Sequence, residues 1–250
     1  MAVNDHVTTE RRGALQVIRL NRPEKKNAIT RAMYAAMAAA LKAGDADDEV
    51  RCHVILGREG VFSAGNDLAD FLAVATGGEG GQEVYDFLLA LANAEKPLVS
   101  GVDGIAVGIG TTIHLHCDLT LATPGTVFST PFVDLGLVPE AGSSLIAPMI
   151  LGHQRAFALL ALGQGLPAAE AKTAGLIHAV VEPDALEGAV FAAAEALAAK
   201  PPEALRIARD LIRGPREAVV ARIQEEATHF RARLKSDEAR QAFMAFMSRK

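Results

Sequence analysis

The sequence predicts an α/β body that ends in a helical part, and three observations predict it. Short apolar, β-branched runs recur at 14–20, 51–56, 97–102 and 119–122, as buried strands require. Segments rich in helix formers separate the earlier ones. From about residue 154 onward the pattern is almost wholly helical. With 250 residues, the chain fits one generous domain or one domain with an appendage. We draw the boundary so that 1–195 forms the α/β body and 196–250 the helical part.

In chain order, a possible strand near Val7 precedes the run ALQVIRL, and Asn21-Arg22-Pro23 closes it, because proline fixes φ and removes a donor. Thr30 stands at an N-cap position, and the alanine-rich stretch behind it reads as a helix up to Gly44. The second apolar run, 51–56, is closed by Gly57. After a loop at 58–67, residues 68–75 and 82–94 read as helices. The cluster Gly77-Gly78-Glu79-Gly80-Gly81 between them reads as a mobile linker, since glycine loses the most backbone freedom on ordering. The runs 97–102 and 119–122 bracket a glycine-rich stretch. Pro201-Pro202 starts the last helical block, where Val219, Ile223, Ala227, Phe230 and Leu234 fall on one helical face. That face and the one at 202–213 either pack on their own body or meet another subunit.

Composition excludes several classes. Half the residues are hydrophobic and 22% charged, which supports a sizeable core and excludes general disorder. No uncharged apolar run reaches the ~18–20 residues of a membrane span. The first residues, MAVNDHVTTERRG, lack the apolar centre of a signal peptide, and Ser248-Arg249-Lys250 is not a peroxisomal address. Two cysteines, Cys52 and Cys117, make no disulfide framework and suit a reducing compartment. The expectation is a soluble, cytoplasmic protein without a membrane partner. A net charge of −5 argues against nucleic acid as partner. Residues 200–250 nevertheless hold 12 Lys/Arg against 7 Asp/Glu. Those cations either cover solvated helices or face an anionic ligand.

Three segments carry chemistry. Gly60 to Leu68, GVFSAGNDL, runs through a tight turn into a helix, where free amides can hold an anion or a developing oxyanion. Taken alone, it reads more often as a plain strand-to-helix connection. Gly101 to Gly110, GVDGIAVGIG, leads again from strand to helix with four glycines. It is not a dinucleotide fingerprint, because position 113 is Ile, and no phosphate loop or Gly-x-Ser-x-Gly elbow occurs. Amides exposed there suit a second oxyanion donor. His114 and His116 stand two apart, project to different sides if helical, and have no companion cluster, so no metal is expected. In the third segment, Phe128 to Ser144, Glu140 is a carboxylate among apolar and small residues. It is either a base with a raised pKa or an acidic cap for a helix starting near Ser143. Asp134 is a second candidate, also readable as a surface acid.

Together these segments resemble the crotonase (enoyl-CoA hydratase/isomerase) superfamily over most of the chain. Asn21-Arg22-Pro23-Glu24-Lys25-Lys26-Asn27-Ala28 is similar to its Asn-Arg-Pro…Asn-Ala signature, and the Ser-Ala-Gly-Asn-Asp-Leu run and the 104–110 loop resemble its two oxyanion loops. The resemblance implies a crotonase-like ββα spiral core with a helical C-terminal part. It implies oxyanion donors on the backbone N–H of Asn66 and Ile109, and a coenzyme A arm bordered by Lys25, Ala28, Ala64, Gly65, Asn66, Asp67 and Leu68. Gly108 supports the second loop, and Phe132 and Leu135 are expected on the acyl side, shielding it from water together with Ile109. The places of the two glutamates of the hydratases fall on Thr112 and Phe132, neither a base. The third segment is instead similar to the peroxisomal-type 3-enoyl to 2-enoyl-CoA isomerases, whose single glutamate matches Glu140. The implied reaction is double-bond isomerisation of an acyl-CoA thioester, with no cofactor because coenzyme A belongs to the substrate. A hydratase or another crotonase-type lyase or hydrolase is the alternative, and a non-catalytic acyl-CoA-binding module the alternative of another class. The resemblance also implies a homotrimer or a dimer of trimers, with C-terminal helices at the contacts.

Overall fold

A computed structural model describes residues 5–70 and 81–248. Most of the expected helix at 68–75, and Gly77-Gly78-Glu79-Gly80 of the expected linker, lie outside the described residues.

Strands β1 (Val7–Arg12) and β2 (Leu15–Leu20) form an antiparallel hairpin whose turn uses Gly13 at φ 57°. β2 then pairs in parallel with β3 (Cys52–Leu56). The sheet continues through β5 (Leu98–Val102) and β7 (Leu119–Ala122) to β10 (Ala179–Val180), in the order β1-β2-β3-β5-β7-β10. All residues of β3 and β5 are buried, as expected of a parallel sheet covered on both faces. Helix α1 (Arg31–Asp45) lies on one face and packs against α2 (Gln82–Asn93). Helix α7 (Pro183–Ala198) covers the other face with Leu186, Val190, Phe191 and Ala194.

A second sheet, order β4-β6-β8-β9, crosses the ends of the first. It is built from β4 (Val61–Ser63), β6 (Ile105–Val107), β8 (Val127–Ser129) and β9 (Leu166–Pro167). Each of β3, β5 and β7 turns directly into a strand of this sheet, and helical structure follows, which is the repeating ββα unit of the spiral. Three-residue strands carry too little alternation to be read from sequence, so this sheet went unpredicted. The long elements agree with the reading: Thr30 caps α1 through a hydrogen bond from the Met33 amide to its hydroxyl (3.3 Å).

The remaining helices follow the spiral: α3 (Ile109–Thr112), α4 (Ser143–Leu151), α5 (His153–Leu160) and α6 (Ala168–Ala174). α7 runs past the boundary drawn at 195. α8 (Pro202–Arg213), α9 (Arg216–Leu234) and α10 (Asp237–Ser248) then return to the body. The apolar face of α9 packs on its own body, with Ile223 and Leu234 buried. The face of α8 does not: Leu211 and Ile212 are 80% and 85% exposed. Two of the C-terminal cations are consumed internally, since Arg209 and Arg213 both pair with Asp118 (2.8 and 3.2 Å). Among the described residues no helix is long and apolar enough to cross a membrane.

The turn from β5 to β6 tolerates only glycine. Gly104 has φ 72°, and a Cβ there would lie 1.9 Å from the Gly60 carbonyl oxygen. Gly104→Ala is expected to lower unfolding free energy by about 2–4 kcal/mol, combining backbone strain with overpacking. Urea denaturation measures this; a loss below half a kcal/mol would show the turn relaxing freely.

Candidate active site

The two expected oxyanion loops leave neighbouring parallel strands. β4 and β6 pair with Val61 beside Ile105 and Ser63 beside Ala106, so their chains exit in the same direction. After β4, the Ile29 amide donates to the Gly65 carbonyl (2.8 Å), and the Asp67 amide donates to the Ile29 carbonyl (2.9 Å). This bridge uses the groups on either side of Asn66 and turns the Asn66 N–H to the opposite side. After β6, Gly108 takes φ 57° and ψ −120°, and its carbonyl accepts the Thr111 and Thr112 amides as α3 begins. Ile109 is the first residue of that helix, so its N–H has no carbonyl a turn behind it. Neither amide has an intramolecular acceptor among the described residues. The loops touch: a Cβ on Gly65 would meet the Val107 carbonyl at 2.8 Å, and one on Gly110 the Ser63 carbonyl at 2.9 Å.

The Asn-Arg-Pro…Asn-Ala stretch braces the first loop. The fully buried Asn27 donates from Nδ2 to the Phe62 carbonyl (3.0 Å) and accepts the Arg22 amide (2.7 Å). The Arg22 guanidinium donates to the Ala28 carbonyl (2.9 Å) and to Asp67 Oδ2 (2.6 Å). Partial burial opposes ionisation of Asp67, yet the Arg22 hydrogen bond and charge hold its carboxyl below the ordinary range.

Glu140 comes from the third segment. It is buried, and its Oε1 accepts a 2.6 Å hydrogen bond from Thr112 Oγ1, at the far end of the one-turn helix that starts with Ile109. Oε2 has no partner among the described residues. Burial pushes this carboxyl up, the Thr112 hydrogen bond offsets part of the rise, and the Glu226 charge adds to it, giving a pKa of about 8. Glu140 does not cap α4. Ala141 and Gly142 both take left-handed φ, 62° and 70°, and turn the chain so that Glu140 faces away from the helix start. Glu226 of α9 caps it instead, accepting the Gly142 amide (2.6 Å) and the Ser144 amide (2.9 Å).

Glu140, Asn66 and Asp67 line one pocket of about 840 Å³, partly open to solvent. Its apolar walls come from α2, with Val84, Tyr85 and Leu88, and from α9, with Ile223, Phe230 and Leu234. The other expected residues are not among those that line it. Ala64, Gly65, Gly108 and Ile109 belong to the two touching loops, Lys25 is exposed, and Ala28 and Leu68 are half-buried. Phe132 is buried in the core and Leu135 packs against it; neither lines the pocket wall. Asp134 is exposed beside Gly163 and away from the pocket.

Sequence reading missed two pocket residues, Tyr34 and Glu226. Tyr34 is buried in α1 and donates its hydroxyl to Asn66 Oδ1 (2.6 Å), which fixes that side chain. Burial, and secondarily the Glu140 charge, push its phenol up. The chain's two tyrosines both line this pocket, which was the one available signal. His114 and His116 are structural. His114 lies between Phe62 and Phe128 with Nδ1 3.0 Å from Ser100 Oγ, and His116 Nε2 is 2.7 Å from the Ala141 carbonyl. Burial lowers them to about 3 and about 4. Among the described residues no group of three His, Cys, Asp or Glu side chains could hold a metal ion.

Residues 10–250 match the family described as enoyl-CoA hydratase/isomerase. The chain belongs to this family. It is similar to enoyl-CoA delta isomerase 2 of Rattus norvegicus, with 38% identity over 250 residues. That match covers 98% of this chain and 63% of the relative, so the chain spans less than two thirds of the relative's length. It is also similar to a probable enoyl-CoA hydratase of Rhizobium meliloti (strain 1021), 31% identical, with 96% and 94% of the two chains covered. Among solved structures, an enoyl-CoA hydratase/isomerase from Pseudoalteromonas atlantica T6c superposes with a TM-score of 0.92 at 36% identity, covering 98% of each chain. The crotonase fold and the likeness to the isomerase branch are thereby established.

The raised pKa of Glu140 sets a stability signature. Its folded value of about 8 exceeds the ordinary 4.5, so the folded state retains a proton that the unfolded chain releases. The associated stability is present below about 4.5 and is lost as pH rises through about 8. Glu140→Gln, neutral throughout, should therefore gain on the wild type between these limits, by on the order of a few kcal/mol. Urea melts at both ends of this range test it; a constant difference would place a charged Glu140 in the folded protein throughout.

Proposed function

We propose that this protein is an acyl-CoA double-bond isomerase that converts 3-enoyl-CoA to 2-trans-enoyl-CoA, with Glu140 as its single proton carrier. One observation carries the reading: Glu140 is a buried pocket carboxylate with an uncommitted oxygen, and its pKa of about 8 suits proton exchange near neutrality. The other pocket carboxylates are engaged. Asp67 pairs with Arg22, Asp70 accepts the Arg31 amide (2.8 Å), and both oxygens of Glu226 cap α4.

The chemistry follows from those atoms. Glu140 Oε2 takes a proton from carbon 2 of the substrate, and the C–H electron pair delocalises through the C3=C4 bond into a dienolate. Its charge collects on the thioester oxygen, where the Asn66 and Ile109 amides would each contribute about 3 kcal/mol. Glu140 then returns the proton to carbon 4, leaving the double bond at C2=C3. No net proton is gained or lost, so one carboxyl suffices. The name of the Rattus norvegicus relative supports this reading, and that of the Rhizobium meliloti relative supports hydration. Hydration needs a second group to activate water, and Glu226 is already committed to three donors.

Purified protein with 3-hexenoyl-CoA should generate conjugated-enoyl absorbance with little hydroxyacyl product. Glu140→Gln should reduce this by about 10³-fold, whereas Asp134→Asn should not. Unchanged isomerisation in Glu140→Gln removes that residue from the mechanism. In the wild type, kcat/KM should rise with pH through about 8 as Glu140 ionises. Thr112→Val removes the hydrogen bond that favours the carboxylate, so its rising limb should move about one pH unit higher. A limb that stays in place would mean Thr112 does not hold the ionised form.

A further inference from the structure

The turn that presents Glu140 is held by groups remote in sequence. Glu140 is followed by two left-handed residues, of which Ala141 carries a Cβ and tolerates φ 62° only when its surroundings impose it. One restraint is His116, whose Nε2–H donates to the Ala141 carbonyl (2.7 Å). The other is Glu226, on a helix more than eighty residues away. Glu226 Oε2 accepts the Gly142 amide (2.6 Å), and Oε1 accepts both the Ser144 amide (2.9 Å) and the Ser144 hydroxyl (2.5 Å). One turn earlier on α9, Arg222 Nη1 donates to the same Ser144 Oγ (3.1 Å). Glycine at the start of α4 offers no capping side chain, so this two-oxygen grip satisfies amides that would otherwise be buried without partners.

We propose that Glu226 is a positioning residue for the Glu140 base, clamping the 140–142 turn to α9 and placing a second negative charge against the reacting carboxyl. This rests on the reading of Glu140 as the base. The arrangement makes helix α9 part of the active site in two ways. It supplies an apolar wall of the pocket, and it sets where the carboxylate stands and how tightly it keeps a proton. Like charge from Glu226 favours the protonated form of Glu140, opposing the Thr112 hydrogen bond. Among the described residues, the other charged or titratable groups facing this region are Tyr34 from α1, Tyr85 from α2, Arg222 and Arg231 from α9, His116 behind the turn, and Asp67, Asp70 and Arg31 around the pocket. Asp67 and Arg31 are themselves paired, with Arg22 and Glu83.

The test compares Glu226→Gln, Ser144→Ala and Glu140→Gln with the wild type, using pH profiles on 3-hexenoyl-CoA. Glu226→Gln keeps an acceptor oxygen but loses the charge. Its rising limb should move by about half a pH unit or more towards acid, and its plateau kcat should fall about tenfold with KM within about twofold. Ser144→Ala weakens the grip and keeps the charge. It should lower kcat by about threefold or more without moving the limb, and it carries the test if Glu226→Gln is not recovered folded. A purely structural Glu226 would lower the melting temperature and leave both limb and kcat in place, which overturns the proposal. Glu140→Gln separates the two levels. If it retains isomerisation, the base assignment fails; if it is inactive while the Glu226 and Ser144 variants match the wild type, only the positioning role fails.

Discussion

Two short strands running side by side in the same direction determine what the rest of the molecule can do. β4 and β6 pair in parallel, so the chain leaves both at the same edge, and the amides of Asn66 and Ile109 emerge from adjacent loops. Parallel neighbours cannot be joined by a hairpin; a crossover must separate them, and the spiral supplies it through α2 and β5. The close approach then dictates composition. At Gly65, Gly104 and Gly110 the neighbouring backbone occupies the space a side chain would need, so these three glycines are required by packing before any ligand is considered.

Against this rigid backbone edge the protein places a carboxyl in an environment that resists its charge. Burying an ionisable group costs free energy unless it is neutralised or paired. Glu140 is given one donor, Thr112, and a like charge, Glu226, but no cation. The folded state therefore favours the proton-bound form, and part of the molecule's stability is lost whenever that proton leaves. Glu226 shows the opposite solution to burial. Although desolvation pushes its carboxyl up, two backbone amides and a hydroxyl engage its oxygens and leave it no freedom to exchange a proton with a ligand. Two acids in one pocket thus have distinct roles because their hydrogen bonds differ.

Legibility in the sequence followed the range of the interactions. Local rules located the long strands, the Thr30 cap and the apolar face of α9, because each depends on residues within a turn or two. The second sheet was invisible, since β4, β6 and β8 are three residues each and gain their order from neighbours rather than from alternation. The two loops after β4 and β6 were readable as glycine-rich strand exits, while their contact was not, because it arises from pairing between distant strands. Glu140 stood out as a carboxylate in apolar company, but its local sequence could not separate base from cap. The structure removes only the cap reading, because Glu226 takes the cap from a distant part of the chain. Tyr34 gave no signal beyond being one of two tyrosines, as its partner Asn66 lies 32 positions away.

The same distribution of hydrogen bonds bears on which reaction the pocket favours. A shuttle must both take and return one proton, so it works best when the carrier's affinity for it is near that of the solution and no competing acid intervenes. Glu140 meets the first condition through burial, and the commitment of Asp67, Asp70 and Glu226 to fixed donors meets the second. Adding water would need a further group to activate it, and the group hydrogen-bonded to Glu140 is Thr112. There a hydroxyl donates a hydrogen bond and cannot remove a proton from water. The threonine at that position keeps one oxygen of Glu140 occupied and leaves the other without a partner among the described residues.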